Sequence, residues 1–84
     1  MKFGDAIEAL KKGERVARSG WNGKGMWLVL VPASIFTEDS LYSKAGLMGG
    51  DIKAHIDIKT ATGEMQPGWL ASQTDMLADD WEVL

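Results

Sequence analysis

The sequence predicts a small α+β fold: a twisted, mainly antiparallel sheet with an N-terminal helix and a short C-terminal helix. Three observations lead to this class. Apolar residues recur at helical spacing near the N-terminus, several later segments are typical of short strands, and a capping motif precedes residue 73. At 84 residues the chain is expected to form a single domain over residues 1–84.

The N-terminal helix is predicted from Gly4 to Lys12. Phe3, Ile7 and Leu10 fall on one face, acidic residues come early and basic residues late, and the helix dipole favours that order. Gly13 then supplies a left-handed stop. Near the other end, Ser72 to Asp75 has the spacing of a capping box and predicts a short helix over residues 73–78.

Strands are predicted where β-forming residues alternate or cluster between turn signals. The predicted strands are residues 15–18, 26–31, 55–59, a short return strand at 64–66, and 81–84. The segment 26–31 is apolar at almost every position, so both of its faces are expected to be covered. Between residues 33 and 53 the pattern is weak, and we expect a turn at 34–37, one helical turn at 41–46 and a break at 49–51.

Composition excludes several classes of protein. The absence of cysteine excludes disulfides, thiolate catalysis and cysteine-ligated zinc. A formal net charge of -3 argues against long nucleic acid, whose binding needs clustered Lys and Arg, but a small anionic ligand is still compatible. The N-terminal residues do not resemble a signal peptide and the longest apolar run, residues 26–32, is too short to span a bilayer, so a cytoplasmic location is expected.

The four tryptophans lie in or beside two loops that are rich in hydrogen-bonding groups. Trp21 and Trp27 flank a glycine-rich loop, and Trp69 and Trp81 flank the predicted C-terminal helix. Trp27 and Trp81 fall within strands and are expected in the core or at a subunit interface. Trp21 and Trp69 follow glycines, where a ring is easily left partly open to stack on a flat ligand. The same residues are common in protein–protein hot spots, so both kinds of partner remain open.

Catalysis has weak support in the sequence. His55 and Asp57 point to the same face of a strand, but one histidine and one carboxylate cannot complete a zinc site, and no cofactor is expected. Ser72 and Thr74 are explained more simply by helix capping than as nucleophiles. The loop from Trp21 to Gly25 lacks the spacing of a nucleotide-hydrolase phosphate loop, which leaves a shallow nest of amides or a plain connection between strands.

Five segments together resemble one family: FGDA at residues 3–6, GWNGKGM at 20–26, HIDIKT at 55–60, WLASQTD at 69–75 and DWE at 80–82. It is the Thoeris anti-defense 2 family of short phage and prophage proteins, and the resemblance covers nearly the whole chain. The chain departs from many relatives at Pro32-Ala33-Ser34, where they have Pro-Gly-Ser, and over residues 35–53. The resemblance therefore implies a general role more strongly than a particular ligand.

The resemblance implies a non-enzymatic sponge that sequesters cyclic ADP-ribose isomers, and in some members cyclic oligonucleotides, without cleaving them. It also implies a homotetramer with ligand pockets near subunit contacts. We expect Trp21, with Phe3 or Trp69, to stack on the adenine, while Asn22, Gln73, Thr74 and Asp75 bind base edges and ribose hydroxyls. The phosphates are assigned to the loop amides around Gly23 and Gly25, to the helix start at Ser72–Thr74, and to Arg18 or Lys24, and Met26 completes the expected ligand-binding set.

Two rival functions follow from the same residues. The first is a phage inhibitor that docks directly on a host protein through its tryptophans. The second is a small hydrolase that acts on the same messengers.

Overall fold

The computed structural model describes residues 1–22 and 24–84, and it has the α+β fold that the sequence predicts. The helices are α1 (Phe3–Lys11), α2 (Leu41–Lys44) and α3 (Gln73–Leu77). The strands are β1 (Val16–Arg18), β2 (Trp27–Val31), β3 (Ser34–Phe36), β4 (Gly50–Ile52), β5 (His55–Lys59), β6 (Met65–Gln66) and β7 (Trp81–Val83). Gly23, one of the predicted site residues, lies outside the described residues.

A five-stranded sheet forms the body of the molecule, in the order β6-β5-β2-β1-β7, and every neighbouring pair is antiparallel. Helix α1 covers one face of it. Ala6, Ala9 and Leu10 on the helix pack with residues of the sheet, and Val16, Leu28 and Trp81 complete the buried core. The helical periodicity of the N-terminal segment is therefore satisfied by packing against the central strands.

The other face of the sheet, here called the open face, has no helix on it. Because Val16 pairs with Leu28, Ala17 stands opposite Trp27, and the pairing of Ala17 with Glu82 and of Trp27 with Lys59 completes one row across four strands: Glu82, Ala17, Trp27 and Lys59. Val29 and Val31 extend the apolar surface along β2 and are half-buried. The expectation that both faces of β2 are covered is thus wrong for the single chain, because the described elements cover only the face toward α1.

Residues 33–53 project from the body as an arm, defined here as β3, α2 and β4. Strands β3 and β4 pair only with each other, and the molecule extends 43 Å along its longest axis. The helical turn expected at 41–46 is confirmed by α2, which Ser40 caps by accepting from the Ser43 amide. The expected turn at 34–37 is wrong, since β3 occupies 34–36, whereas the break expected at 49–51 does separate α2 from the next element but is shorter than predicted, since β4 begins at Gly50. The side chains of this two-stranded sheet are mostly exposed, so no alternation of apolar and polar residues marked it.

Candidate functional site

The two tryptophan-bearing loops meet at the carboxylate of Asp75. One carboxylate oxygen, Oδ1, accepts from Arg18 Nη1 at 2.9 Å and from Trp21 Nε1 at 3.2 Å. Arg18 ends β1 and Trp21 follows in the glycine-rich loop, whereas Asp75 lies in the first turn of α3. A single acidic side chain therefore ties the middle of the sequence to its last quarter.

Local sequence explains why Asp75 stands where it does. Its amide donates to Ser72 Oγ at 3.1 Å, and its second carboxylate oxygen accepts from the Ser72 amide at 3.2 Å. This reciprocal capping box confirms the predicted helix start. The carbonyl of Asp75 also accepts from Trp81 Nε1 at 2.9 Å, so backbone and side chain both hold the loops together.

Asp80 completes the network on the other side of Arg18. It accepts from Arg18 Nε at 2.8 Å through one oxygen and from the Gly20 amide at 2.7 Å through the other. The Gly20 contact is close, since an added Cβ would stand 2.6 Å from Asp80 Oδ2. The bend that precedes Trp21 is thereby fixed to the segment before β7.

The hydrogen bonds shift the ionisation of all three charged groups. The Arg18 guanidinium and the Gly20 amide hold the pKa of Asp80 below its usual value, against a smaller opposing effect of burial. For Asp75, burial favours the neutral acid, but the hydrogen bonds from Arg18, Trp21 and Ser72 together lower its pKa. The two carboxylates raise the pKa of Arg18, mainly through their hydrogen bonds. Arg18 and Asp75 side chains are each only 14% exposed, so this is a shielded ion pair.

Four aromatic rings pack together behind the network. Trp81, which is 2% exposed, contacts Trp21 and Trp69 edge-on at centroid distances of 5.4 and 6.2 Å, and Phe3 at 5.5 Å. The prediction that Trp81 belongs to the core is confirmed. Trp21 and Trp69 are half-buried, as is Trp27, which lies on the open face. One edge of Trp21 is engaged by Asp75 and Trp81, which fixes the orientation of its ring.

A cavity of about 250 Å³ opens beside Trp21. Five predicted site residues line it: Arg18, Trp21, Lys24, Gly25 and Met26. Ala17, Ser19, Glu82 and Leu84 complete the lining. The cavity has a polar and an apolar part, which is the character of a site for a ligand with both a ring and charged groups.

The remaining predicted site residues lie outside this lining. Phe3 and Trp69 belong to the aromatic cluster on the α1 side of the sheet. Gln73 and Thr74 are exposed at the start of α3, and Asn22 is exposed in the glycine-rich loop. Ser72 and Asp75 use their side chains to cap α3. The structure thus brings some of the predicted site residues to one cavity, whereas Phe3, Trp69, Ser72 and Asp75 pack in the fold or cap α3.

Sequence reasoning missed three residues near this cavity. Asp80 is one, because its partner Arg18 is 62 residues away in sequence. Arg15 and Lys59 are the others: their cationic groups lie 5.3 and 5.8 Å from the centroid of the Trp27 ring. The alternation of HIDIK could have placed Lys59 on the same face of β5 as His55 and Asp57. Its position beside Trp27 could not be predicted, because that depends on the register between β5 and β2.

His55 and Asp57 lie together on the open face, as their spacing predicted. Their closest side-chain atoms, Nε2 and Oδ1, are 3.6 Å apart, while His55 Nδ1 lies 2.8 Å from the Lys53 carbonyl. The same oxygen of Asp57 accepts from the Gly68 amide at 3.1 Å. Within residues 1–22 and 24–84, no three potential metal-ligating side chains cluster, and no helix is long and apolar enough to cross a membrane.

Comparison with known proteins gives one consistent result. The family model for the Thoeris anti-defense 2-like domain matches residues 1–84. The chain is also similar to Thoeris anti-defense 2 of Bacillus phage SP01, with 40% identity over 85 residues. That alignment covers 100% of this chain and 94% of the phage protein.

Proposed function

Because this chain belongs to the Thoeris anti-defense 2 family, which counters a bacterial defence system, we propose that it binds and sequesters a cyclic nucleotide signal without cleaving it. The proposed ligands are cyclic ADP-ribose isomers and, as a second group of cyclic nucleotides, cyclic oligonucleotides. The observation that carries the proposal is the cavity beside Trp21, where a half-buried indole, loop backbone and Lys24 face the same space.

The network behind the cavity supports tight binding. Asp75 and Asp80 hold Arg18, Gly20 and Trp21 in place before any ligand arrives. A sponge must compete with the receptor of the signal, and nanomolar affinity corresponds to about -12 kcal/mol. A ring that is already fixed loses little conformational entropy on binding, which favours affinity of that order.

Assembly into a homotetramer is part of the proposal. The cavity of about 250 Å³ is smaller than the roughly 300–1,000 Å³ typical of sites that enclose a small molecule, so a second chain would complete it. Two surfaces suit such contacts. The valine stripe of β2 on the open face has no cover from the described elements, and the arm exposes Ile35 at 76% and Met48 at 80%.

Sequestration rather than turnover agrees with the chemistry of the cavity. Among the described residues its lining contains Glu82 and Lys24 but no histidine, and the carboxylate behind it, Asp75, has a pKa that hydrogen bonds from Arg18, Trp21 and Ser72 lower against the effect of burial. A carboxylate with a lowered pKa is a poor general acid or base at neutral pH. Ser72, which the sequence offered as a nucleophile, accepts from the Asp75 amide as a helix cap and is not among the residues that line the cavity.

Thermal unfolding with purified cyclic ADP-ribose isomers tests the proposal. Ligand at 100 times its Kd adds about 2.7 kcal/mol to the free energy of unfolding, which raises the Tm of a domain this small by about 10–20 °C. Lys24→Gln should weaken binding because Lys24 lines the cavity, whereas Lys12→Gln at the exposed end of α1 should leave it unchanged.

Two further measurements separate the rivals. Heating the complex and analysing the released ligand should recover it intact, whereas a changed product would identify a hydrolase. Absence of any Tm shift across a panel of cyclic nucleotides, together with co-purification of a host protein that Trp21→Ala abolishes, would instead establish the protein–protein inhibitor.

A further inference from the structure

Arg18, the arginine that the sequence assigned to the phosphates, is already bound at both sides of its guanidinium. Its Nε donates to Asp80 and its Nη1 donates to Asp75, with both contacts below 3.0 Å. A ligand phosphate would have to displace a shielded carboxylate to reach these donors. Two carboxylates therefore offset the charge of Arg18, which acts as a positioning residue, and the charge that balances the phosphates is assigned to other side chains.

We propose that Lys59 and Arg15, which flank Trp27 on the open face, bind the phosphate groups of the ligand together with Lys24. The inference rests on the proposed function and extends its site from the Trp21 cavity across the sheet to β5. The indole of Trp27 then lies under the ligand between the two cations. The three cations Arg15, Lys24 and Lys59, together with the Trp27 ring, are called the cationic row below.

Strand register joins the cationic row to the cavity. Glu82 and Ala17 are cross-strand partners and line the cavity, and Trp27 and Lys59 are the next cross-strand pair along the same row. Side chains in one row of a sheet stand about 5 Å from their neighbours. A ligand seated over Ala17 therefore reaches Trp27 and Lys59 without leaving the open face.

The position of the Lys59 ammonium links it to the loop as well. A Cβ on Gly25 would stand 3.9 Å from Lys59 Nζ, and Gly25 itself lines the cavity. The ammonium thus reaches from the end of β5 to the loop that carries Lys24. Gly25 has a φ of +79°, so this turn depends on glycine to present its backbone beside the lysine.

No ion pair among the described residues compensates the charges of the cationic row. The ion pairs among residues 1–22 and 24–84 are Lys11 with Glu8, Arg18 with Asp75 and Asp80, and His55 with Asp57. Arg15, Lys24 and Lys59 are absent from them, although the net charge of the chain is -3. The acids on this face are Glu82, which pairs with Ala17 and lines the cavity, and Asp57, which accepts from the Gly68 amide.

Three uncompensated cations match a ligand with two phosphate charges rather than one. The Arg15 guanidinium and the Lys59 ammonium lie 5.3 and 5.8 Å from the centroid of the Trp27 ring, so an anionic group seated over this ring is attracted by both cations. A pyrophosphate bridge carries two negative charges in a compact group and suits that geometry. The cationic row therefore favours pyrophosphate-linked cyclic nucleotides over those with a single phosphate diester.

The test compares Lys59→Gln and Arg15→Gln with Lys12→Gln, which removes the same charge from the exposed residue that follows α1. Each protein is titrated calorimetrically with cyclic ADP-ribose isomers and, separately, with inorganic pyrophosphate. We expect each row variant to lose at least tenfold in affinity for the cyclic ligand and to bind pyrophosphate more weakly than wild type. Lys12→Gln should match wild type, and melting without ligand should show that all variants are folded.

The outcomes distinguish this inference from the proposed function. Wild-type binding of a cyclic nucleotide that neither row variant weakens overturns the cationic row and leaves sequestration standing. Binding of pyrophosphate that depends on Lys59, without binding of any cyclic nucleotide, supports the row and contradicts the proposed ligand. Equal losses in all three variants would show a general effect of net charge and would also overturn the row.

Discussion

Replacing Asp75 by alanine should destabilise the fold itself. The change removes the acceptor for Arg18, Trp21 and the Ser72 amide, while the Asp75 backbone bonds to Ser72 and Trp81 can remain. A hydrogen bond to a charged group contributes about 1.5–3 kcal/mol, and leaving one member of a buried ion pair alone costs about 3–5 kcal/mol. These values are not additive, and Arg18 keeps Asp80 as a partner, so we expect a total loss of about 2–4 kcal/mol.

Urea unfolding followed by tryptophan fluorescence measures this loss. For a domain of this size the expected change corresponds to a Tm lower by about 8–32 °C. Asp79→Ala is the matched control, because the Asp79 side chain is exposed and only its carbonyl accepts a hydrogen bond, from the N-terminal amine. If Asp75→Ala unfolds within about 0.5 kcal/mol of the control, the carboxylate does not hold the two loops together, and the reasoning is refuted.

Two further predictions concern the loop and the ion pairs. Gly25→Ala should lower the free energy of unfolding by about 1–2 kcal/mol, because the Gly25 φ of +79° is strained for alanine. Gly4→Ala should raise it by up to about 1 kcal/mol in the same melting assay, because Gly4 lies in α1 with open space around it. Equal effects of the two substitutions would contradict the assigned turn. Asp75 and Asp80 have lowered pKa values, so their stabilisation is present above the ordinary aspartate pKa of about 3.9 and is lost as the pH falls through the folded-state pKa. The Tm of wild type should therefore fall between about pH 5 and pH 3, and that of Asp80→Asn should fall less over the same interval; parallel curves would argue against the Asp80 contribution.

Elements with strong local signals could be predicted from the sequence. Helix α1 was expected within one residue of its observed bounds, and the capping box at Ser72 correctly placed α3. Strands β2 and β5 followed from an apolar run and from alternation. These features depend on residues a few positions apart, where periodicity and capping rules apply.

Features that depend on pairing across the chain could not be predicted in the same way. Arg18 looked like a free cation because its partners Asp75 and Asp80 are 57 and 62 residues away. The sequence assigned Asp75 to the ligand, whereas the structure shows that its carboxylate also holds Arg18 and Trp21 in the fold. The cationic row escaped notice because only the register of β2 with β5 sets Lys59 beside Trp27.

The way the arm is inserted between β2 and β5 affects which sequence changes the fold can tolerate. Val31 at the end of β2 already pairs with His55 at the start of β5, so a two-residue hairpin turn joining these strands would close the sheet without the arm. Substitutions or length changes between them would then leave the core and the Arg18 ion pairs untouched. Residues 32–54 can therefore vary in sequence and length, and so acquire new contacts, while the five-stranded sheet keeps its structure.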